Sequence, residues 1–255
     1  MSDVYDHPKY YEIAFSFRDI DKEVDLFEEC FKRFSAIPVK STLELGCGNS
    51  PHLEELVKRG YYYNGLDLNE KMLEYGRNKA KRIRAEVNLF RADMNDFTLP
   101  APVDFVYIML GSLCVKDNTE MENHFKCVAR ALKRGGLYLS DWCIQFDIPL
   151  TADDGSSWEF EHEGVTVHAN VKWKVVSRTE QTFEEVITFD VNDHGTRHHI
   201  VGSEIKRAIY PQEFLGFIKH HPDFEFIGWY NNWNLGMPLD QANEISRPVV
   251  VVRRI

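Results

Sequence analysis

The 255-residue sequence predicts an α/β fold: a mostly parallel sheet with an antiparallel closing strand, plus a small antiparallel β insertion. Two patterns carry that expectation. Between Leu43 and Trp142, short apolar runs alternate with stretches whose apolar residues recur every three or four positions, the order of strands and helices that builds a parallel sheet. Between Trp142 and Pro211 the pattern changes to strict alternation, which belongs to strands with one buried face.

The elements follow in order. Val24, Phe27, Phe31 and Phe34 recur at helical spacing, so Asp21 to Ser35 is expected to be an amphipathic helix against the sheet. Leu43-Glu44-Leu45 reads as the first strand, and Gly46-Cys47-Gly48-Asn49-Ser50 as a tight turn whose glycines let a ligand approach the backbone. Pro51 opens a helix with Leu53, Leu56 and Val57 on one face, and Gly60 ends it. The second strand finishes at Gly65-Leu66-Asp67, and Asn69 caps a helix that carries Met72, Leu73, Tyr75 and Gly76. Val87 to Phe90 is the third strand. Val103 to Leu110 is nearly continuously apolar, as a parallel strand covered on both faces should be. Thr119 and Glu122 are spaced as a capping box for a helix with Met121, Phe125, Val128 and Leu132 on one face, ended by Gly135-Gly136. Leu137 to Trp142 is the fifth strand.

The insertion is expected to hold about three strands. Val165, Val167, Ala169, Val171, Trp173 and Val175 share one face of the first, Thr182 to Val191 and His198 to Ile209 form the others, and Asp193-His194-Gly195-Thr196 is a hairpin turn. Tyr210-Pro211 starts a final helix with Phe214, Leu215, Phe217 and Ile218 inward, and Phe224–Tyr230 with Pro248–Arg253 close the sheet. The organisation is therefore 1–36, an N-terminal lid and helix; 37–147, a core; 148–209, the insertion; and 210–255, the last helix and closing strands.

Composition narrows the function. A hydrophobic fraction of 44% supports one substantial core, and a net charge of −10 disfavours a nucleic-acid partner. The one basic run, Arg77 to Arg84, reads as the solvated end of a helix. No apolar stretch approaches the roughly 20 residues that cross a bilayer, so no membrane partner and a cytoplasmic location are expected. The five cysteines are scattered with no Cys-x-x-Cys, which suggests reduced thiols. His198-His199 and His220-His221 are adjacent pairs that point to opposite faces, so no metal is assigned.

The turn after the first strand identifies a nucleoside site. Asp67, about twenty residues beyond it, is placed to accept hydrogen bonds from both hydroxyls of a ribose. Ser50-Pro51 replaces the third glycine of a dinucleotide motif, which argues against a nicotinamide oxidoreductase. With an acid two residues before the first glycine, Glu44-x-Gly46-x-Gly48 resembles the motif of class I S-adenosylmethionine-dependent methyltransferases, which have a Rossmann-like sheet. Tyr5 to Asp19 is similar to the N-terminal lid of small-molecule members, including amino-sugar N-methyltransferases.

That resemblance implies S-adenosyl-L-methionine as cofactor and S-adenosylhomocysteine as product. It implies that Gly46, Cys47 and Gly48 face the methionine part, that Glu44 holds its amino group directly or through water, and that Tyr11 covers the cofactor. Leu68 and Met72 would form an apolar slot for adenine, Asp93 would accept from its amino group, Met94 would pack on the ring, and Leu110 would lie beside the transferable methyl. Arg18 is expected either to pair with the methionine carboxylate or to form a surface ion pair with Asp19, Asp21 or Glu23.

The insertion is expected either to roof the site or to form the interface of a homodimer. Trp158, His162 and His168 are the candidates for substrate contact, each histidine otherwise being exposed or satisfied locally, and no catalytic base is assigned. The expected reaction is methyl transfer to an amine or hydroxyl of a small molecule. A noncatalytic cofactor-binding module and a protein or RNA methyltransferase are the alternatives.

Overall fold

Eight strands form the central sheet of the computed structural model, which describes residues 3–146 and 155–255. In sequence order they begin with β1 (Ser41–Leu45), β2 (Tyr62–Asp67), β3 (Asn88–Arg91), β4 (Val103–Ile108) and β5 (Leu132–Asp141). These five pair in parallel in the order β5-β4-β1-β2-β3. Antiparallel β12 (Val249–Arg254) joins β5, and β10 (Phe224–Asn231) and β11 (Asn234–Pro238) complete the sheet beyond it. The chain runs outward from β1 to β3 and then returns to β4, so the strand order reverses between β1 and β4. A crevice opens where their carboxyl ends diverge.

Helices cover both faces. On one side lie α2 (Ile20–Phe34), α3 (Leu53–Lys58) and α4 (Glu70–Arg82), burying Val24, Phe27, Leu53, Leu56 and Leu73 against Phe105 and Tyr107. Asp19 caps α2 by accepting from Lys22 N, and Asn69 caps α4 by accepting from Lys71 N and Met72 N. On the other side, α5 (Asn118–Ala131) and α6 (Pro211–His220) bury Met121, Phe125, Val128, Phe214 and Ile218. This two-sided cover is why β4 is buried at every position and reads as one apolar run.

Two local expectations are corrected. Asp117, not Thr119, caps α5: its carboxylate accepts from Glu120 N at 2.9 Å, and the Glu120 side chain accepts from Lys116 N, the residue before the cap, at 2.8 Å. Gly135 and Gly136 do not stop that helix, which ends at Ala131. They lie in an irregular stretch of β5, where a Cβ on Gly136 would come within 2.5 Å of Asp104 O.

His124 of α5 is fully buried, with Nε2 accepting from Tyr138 OH at 2.8 Å and Nδ1 donating to Met94 O at 3.1 Å. Burial pushes its pKa down to about 4. The unfolded chain binds a proton near pH 6.5 that the folded chain refuses, so stability is expected to fall as pH drops from about 6.5 to 4, by ~3 kcal/mol in all. Urea titrations of wild type and His124→Gln should diverge across that window, and parallel pH profiles would show that His124 is not the group responsible.

The insertion is a separate four-stranded antiparallel sheet in the order β6 (Ser156–His162), β7 (Val165–Ser177), β8 (Thr182–Asp193) and β9 (Thr196–Arg207). The expected start of the insertion at residue 148 lies outside the described residues. Strand β6 and the central sheet's β11 were not anticipated: β6 carries Glu159 and Glu161, and β11 contains Asn234, Gly236 and Pro238, residue types depleted in strands by propensity. The β8–β9 turn has positive φ at both His194 (48°) and Gly195 (92°), as a two-residue hairpin requires.

Val165, Val167, Ala169, Ile187, Phe189 and Val191 form the inner face, and the N-terminal segment covers it. Val4 and, from α1 (Pro8–Ala14), Ile13 and Ala14 are buried there, while Trp158 Nε1 donates to Ala14 O at 2.7 Å. The same segment reaches α4, where Asn69 Nδ2 donates to Asp6 at 2.9 Å and Tyr75 and Lys79 both engage Glu12. The N-terminal segment therefore ties the insertion to the central unit. Among the described residues, no helix is long and apolar enough to cross a membrane.

Candidate functional site

Beyond β1 the backbone enters the left-handed region at Gly46 (φ 61°) and Gly48 (φ 49°), which glycine tolerates at little cost. Asp67, at the end of β2, fastens this turn: Oδ2 accepts from Gly48 N and Oδ1 from Asn69 N, both at 2.8 Å. Burial raises its pKa against the pull of those two donors. Each carboxylate oxygen makes one of these bonds and keeps a second lone pair. Gly65 on β2 allows the close packing behind the turn, since a Cβ there would lie 2.8 Å from Leu89 Cδ2 and 2.9 Å from Cys47 Sγ.

Beneath the turn lies a buried charge network. Glu44, 2% exposed, accepts from Tyr63 OH at 2.6 Å and Tyr107 OH at 3.0 Å through Oε2, while Oε1 faces His52 Nδ1 at 3.0 Å. His52 Nε2 lies 2.8 Å from Glu23 Oε2. Arg18 donates to Glu23 through Nε (3.2 Å) and Nη2 (2.6 Å), and Arg247 bridges Glu23 and Asp141, each at 2.9 Å. Arg18 thus does pair with Glu23, but the pair is buried rather than superficial, with 7% and 4% side-chain exposure. The cations hold the Glu23 carboxyl far below the usual range in spite of its burial.

Tyr11, Arg18, Glu44, Gly46, Cys47, Gly48 and Leu110 all line one narrow cleft with a cavity of about 20 Å³, together with Asn49, Pro51, Met109 and Ser112. Seven of the expected cofactor residues are therefore brought together, and Asp67 joins them through Gly48. Met94 also reaches the turn: a Cβ on Gly46 would lie 3.3 Å from Met94 Cε. Met72 is wholly buried beneath the start of α4, whereas Leu68 is 57% exposed. Asp93 is exposed and accepts from Asn95 N at 2.8 Å, closing its own turn.

The candidate substrate residues are scattered. Trp158 packs against Phe15 and Phe17 at the edge of the N-terminal segment. His162 is exposed near Glu163, and His168 lies on the outer face of β7, 3.8 Å from Glu159. A wider hollow of about 610 Å³ on that outer face is bordered by Glu159, His168, Asp190 and His199, and none of the glycine-turn residues lines it. Among the described residues no group of three His, Cys, Asp or Glu is placed to hold a metal ion.

Sequence spacing gave no sign of His52, Asp141 or Arg247, and it offered Glu23 only as a surface partner of Arg18. The one available signal was Glu44 itself, since a carboxylate in a central strand needs partners. Over the cleft, Lys206 of β9 is a further unanticipated residue: it donates to Gly111 O at 3.3 Å and to Glu185 at 2.6 Å, fixing the insertion to the turn after β4.

Residues 42–136 match the family model described as a methyltransferase domain. A relative from Geobacillus sp. (strain WCH70), named as a candidate methyltransferase, is 29% identical over 43% of this chain and 45% of its own length. The chain spans about half the length of the curated relatives it matches. Over the whole fold, it superimposes on an S-adenosylmethionine-dependent methyltransferase from Clostridium acetobutylicum with a TM-score of 0.77 at 17% identity, covering 96% of this chain and 95% of the other. The sugar N-methyltransferase KedS8 from a Streptoalloteichus species gives 0.71 at 20% identity, covering 100% and 94%. The fold is that of the methyltransferases, and the segment from 42 to 136 is the part that matches their domain model.

Proposed function

We propose that the chain is an S-adenosylmethionine-dependent methyltransferase that acts on an amine or hydroxyl of a small molecule. One observation carries the reading: a single cleft presents a carboxylate, a guanidinium and the glycine turn that Asp67 fastens. A zwitterionic amino-acid group requires the first two, and a ribose diol suits the third. The donor set fits the cofactor, with Glu44 for its ammonium, Arg18 for its carboxylate and Asp67 for its ribose hydroxyls. When bound, the cofactor supplies a methyl group on a positively charged sulfur.

The protein's part is alignment and shielding, and alignment can lower a barrier by roughly 7–11 kcal/mol. Tyr11 keeps its phenolic proton because burial raises its pKa, so it offers a neutral ring to a cation. Lys206 anchors β9 over Gly111, which supports an acceptor entering beneath the insertion beside Leu110. Likeness to a sugar N-methyltransferase supports a small acceptor.

Glu12 holds the N-terminal segment down through Tyr75 and Lys79. Glu12→Ala is expected to raise the S-adenosylhomocysteine off-rate about two- to fivefold, the worth of a partly exposed pair. Stopped-flow release kinetics check this, and an unchanged rate would deny the segment a covering role. The function itself is tested with a radiolabelled methyl donor and a panel of small amines and alcohols. Label on a small acceptor is expected. Cofactor binding without transfer to any acceptor would favour a noncatalytic module, and label on protein or RNA would redirect the substrate class.

A further inference from the structure

Among the described residues, three buried carboxylates, Glu23, Glu44 and Asp141, meet only two guanidinium groups, Arg18 and Arg247, in the network beneath the cleft. Both guanidinium groups stay charged at any working pH. The network is one positive charge short unless His52 supplies it. His52 is fully buried, with each ring nitrogen within 3.0 Å of a different carboxylate. A neutral imidazole has one N–H and can serve only one of them, whereas an imidazolium donates to both.

We propose that His52 is a positioning residue for the amino-acid end of the cofactor, acting as an imidazolium that donates to Glu44 and Glu23 together. It holds Glu44 ionised and in place for the ligand ammonium. It also keeps Glu23 compensated, with Arg247, when Arg18 turns to the ligand carboxylate. This inference rests on the proposed cofactor reading.

The surroundings support it. Glu44 faces the ring from β1, Glu23 from α2, and Arg18 from the segment before α2, its Nη2 3.2 Å from Nε2, farther than the 2.8 Å from Nε2 to Glu23 and already bonded to that same carboxylate. Tyr107 of β4 and Phe27 of α2 place their rings 5.3 Å away. Burial alone would lower the imidazole pKa, but the two carboxylates outweigh both burial and the repulsion from Arg18 and leave it raised. A zwitterion adds no net charge, so it enters a network that His52 has already balanced.

The test uses the full chain with ¹⁵N-labelled histidine at pH 7.5, together with calorimetry of S-adenosylhomocysteine and of adenosine, which lacks the amino-acid end. The His52 ring is expected to show the doubly protonated signature. His52→Gln is expected to weaken S-adenosylhomocysteine about tenfold while leaving adenosine within about twofold of wild type. A neutral His52 ring overturns the proposal, as does equal weakening of both ligands or of neither. If the variant fails to fold, the ring signature of the wild type decides alone. Failure of wild type to bind either ligand would bring down the cofactor reading and this inference with it, whereas normal binding indifferent to His52 overturns the inference only.

Discussion

Replacing Asp67 with alanine is expected to weaken S-adenosylhomocysteine binding by about 5- to 150-fold, the equivalent of ~1–3 kcal/mol of lost charge-assisted hydrogen bonding. The carboxylate has two tasks. It is placed for the ribose hydroxyls, and it already accepts from Gly48 N and Asn69 N, so its loss also frees the glycine turn. Asp67→Asn keeps the shape and one acceptor oxygen, and should fall between wild type and alanine. Calorimetry measures all three, and an alanine variant with the wild-type dissociation constant would remove Asp67 from the ribose role.

Arg247→Met should produce the largest loss of stability, about 3–5 kcal/mol. Arg247 lies over the Trp233 ring, 4.4 Å from its centroid, and donates to Asp141 and Glu23, whose side chains are 0% and 4% exposed. Methionine keeps most of the packing but leaves Asp141 with no cation bonded to it. Burial already raises the Asp141 pKa against the pull of Arg247, so the uncompensated carboxylate would protonate or draw in water. In a chain of this length the melting temperature should fall by about 10 °C. Adding Asp141→Asn should restore part of the loss. Urea unfolding that shifts by less than about 1 kcal/mol would mean that the network contributes little to the fold.

The parallel half of the sheet was legible because strands covered on both faces leave unbroken apolar runs, as Val103 to Ile108 does. The glycine turn and Asp67 were legible because a turn that approaches a ligand needs small residues, and the chain must cross one helix to reach the next strand end. Leu68 and Asp93 stand at strand ends as their spacing requires, and both are exposed there. His168 sits in a strand whose alternation was correct, and that same alternation carries it to the outer face.

The buried network was hidden for a different reason. Glu23 reads as a surface partner of Arg18, and nothing in the spacing singles out Arg247. Only the tertiary fold brings residues 18, 23, 44, 52, 141 and 247 within hydrogen-bond reach. The alternatives for Arg18 also prove not to be exclusive: it pairs with Glu23 and lines the cleft at once.

The most direct test of the cofactor site is a crystal structure of the chain with S-adenosylhomocysteine. The ribose hydroxyls are expected on Asp67, with the amino-acid end between Glu44 and Arg18. A ligand settled in the outer hollow beside His168 and His199, or a glycine turn left empty at saturating ligand, would contradict it.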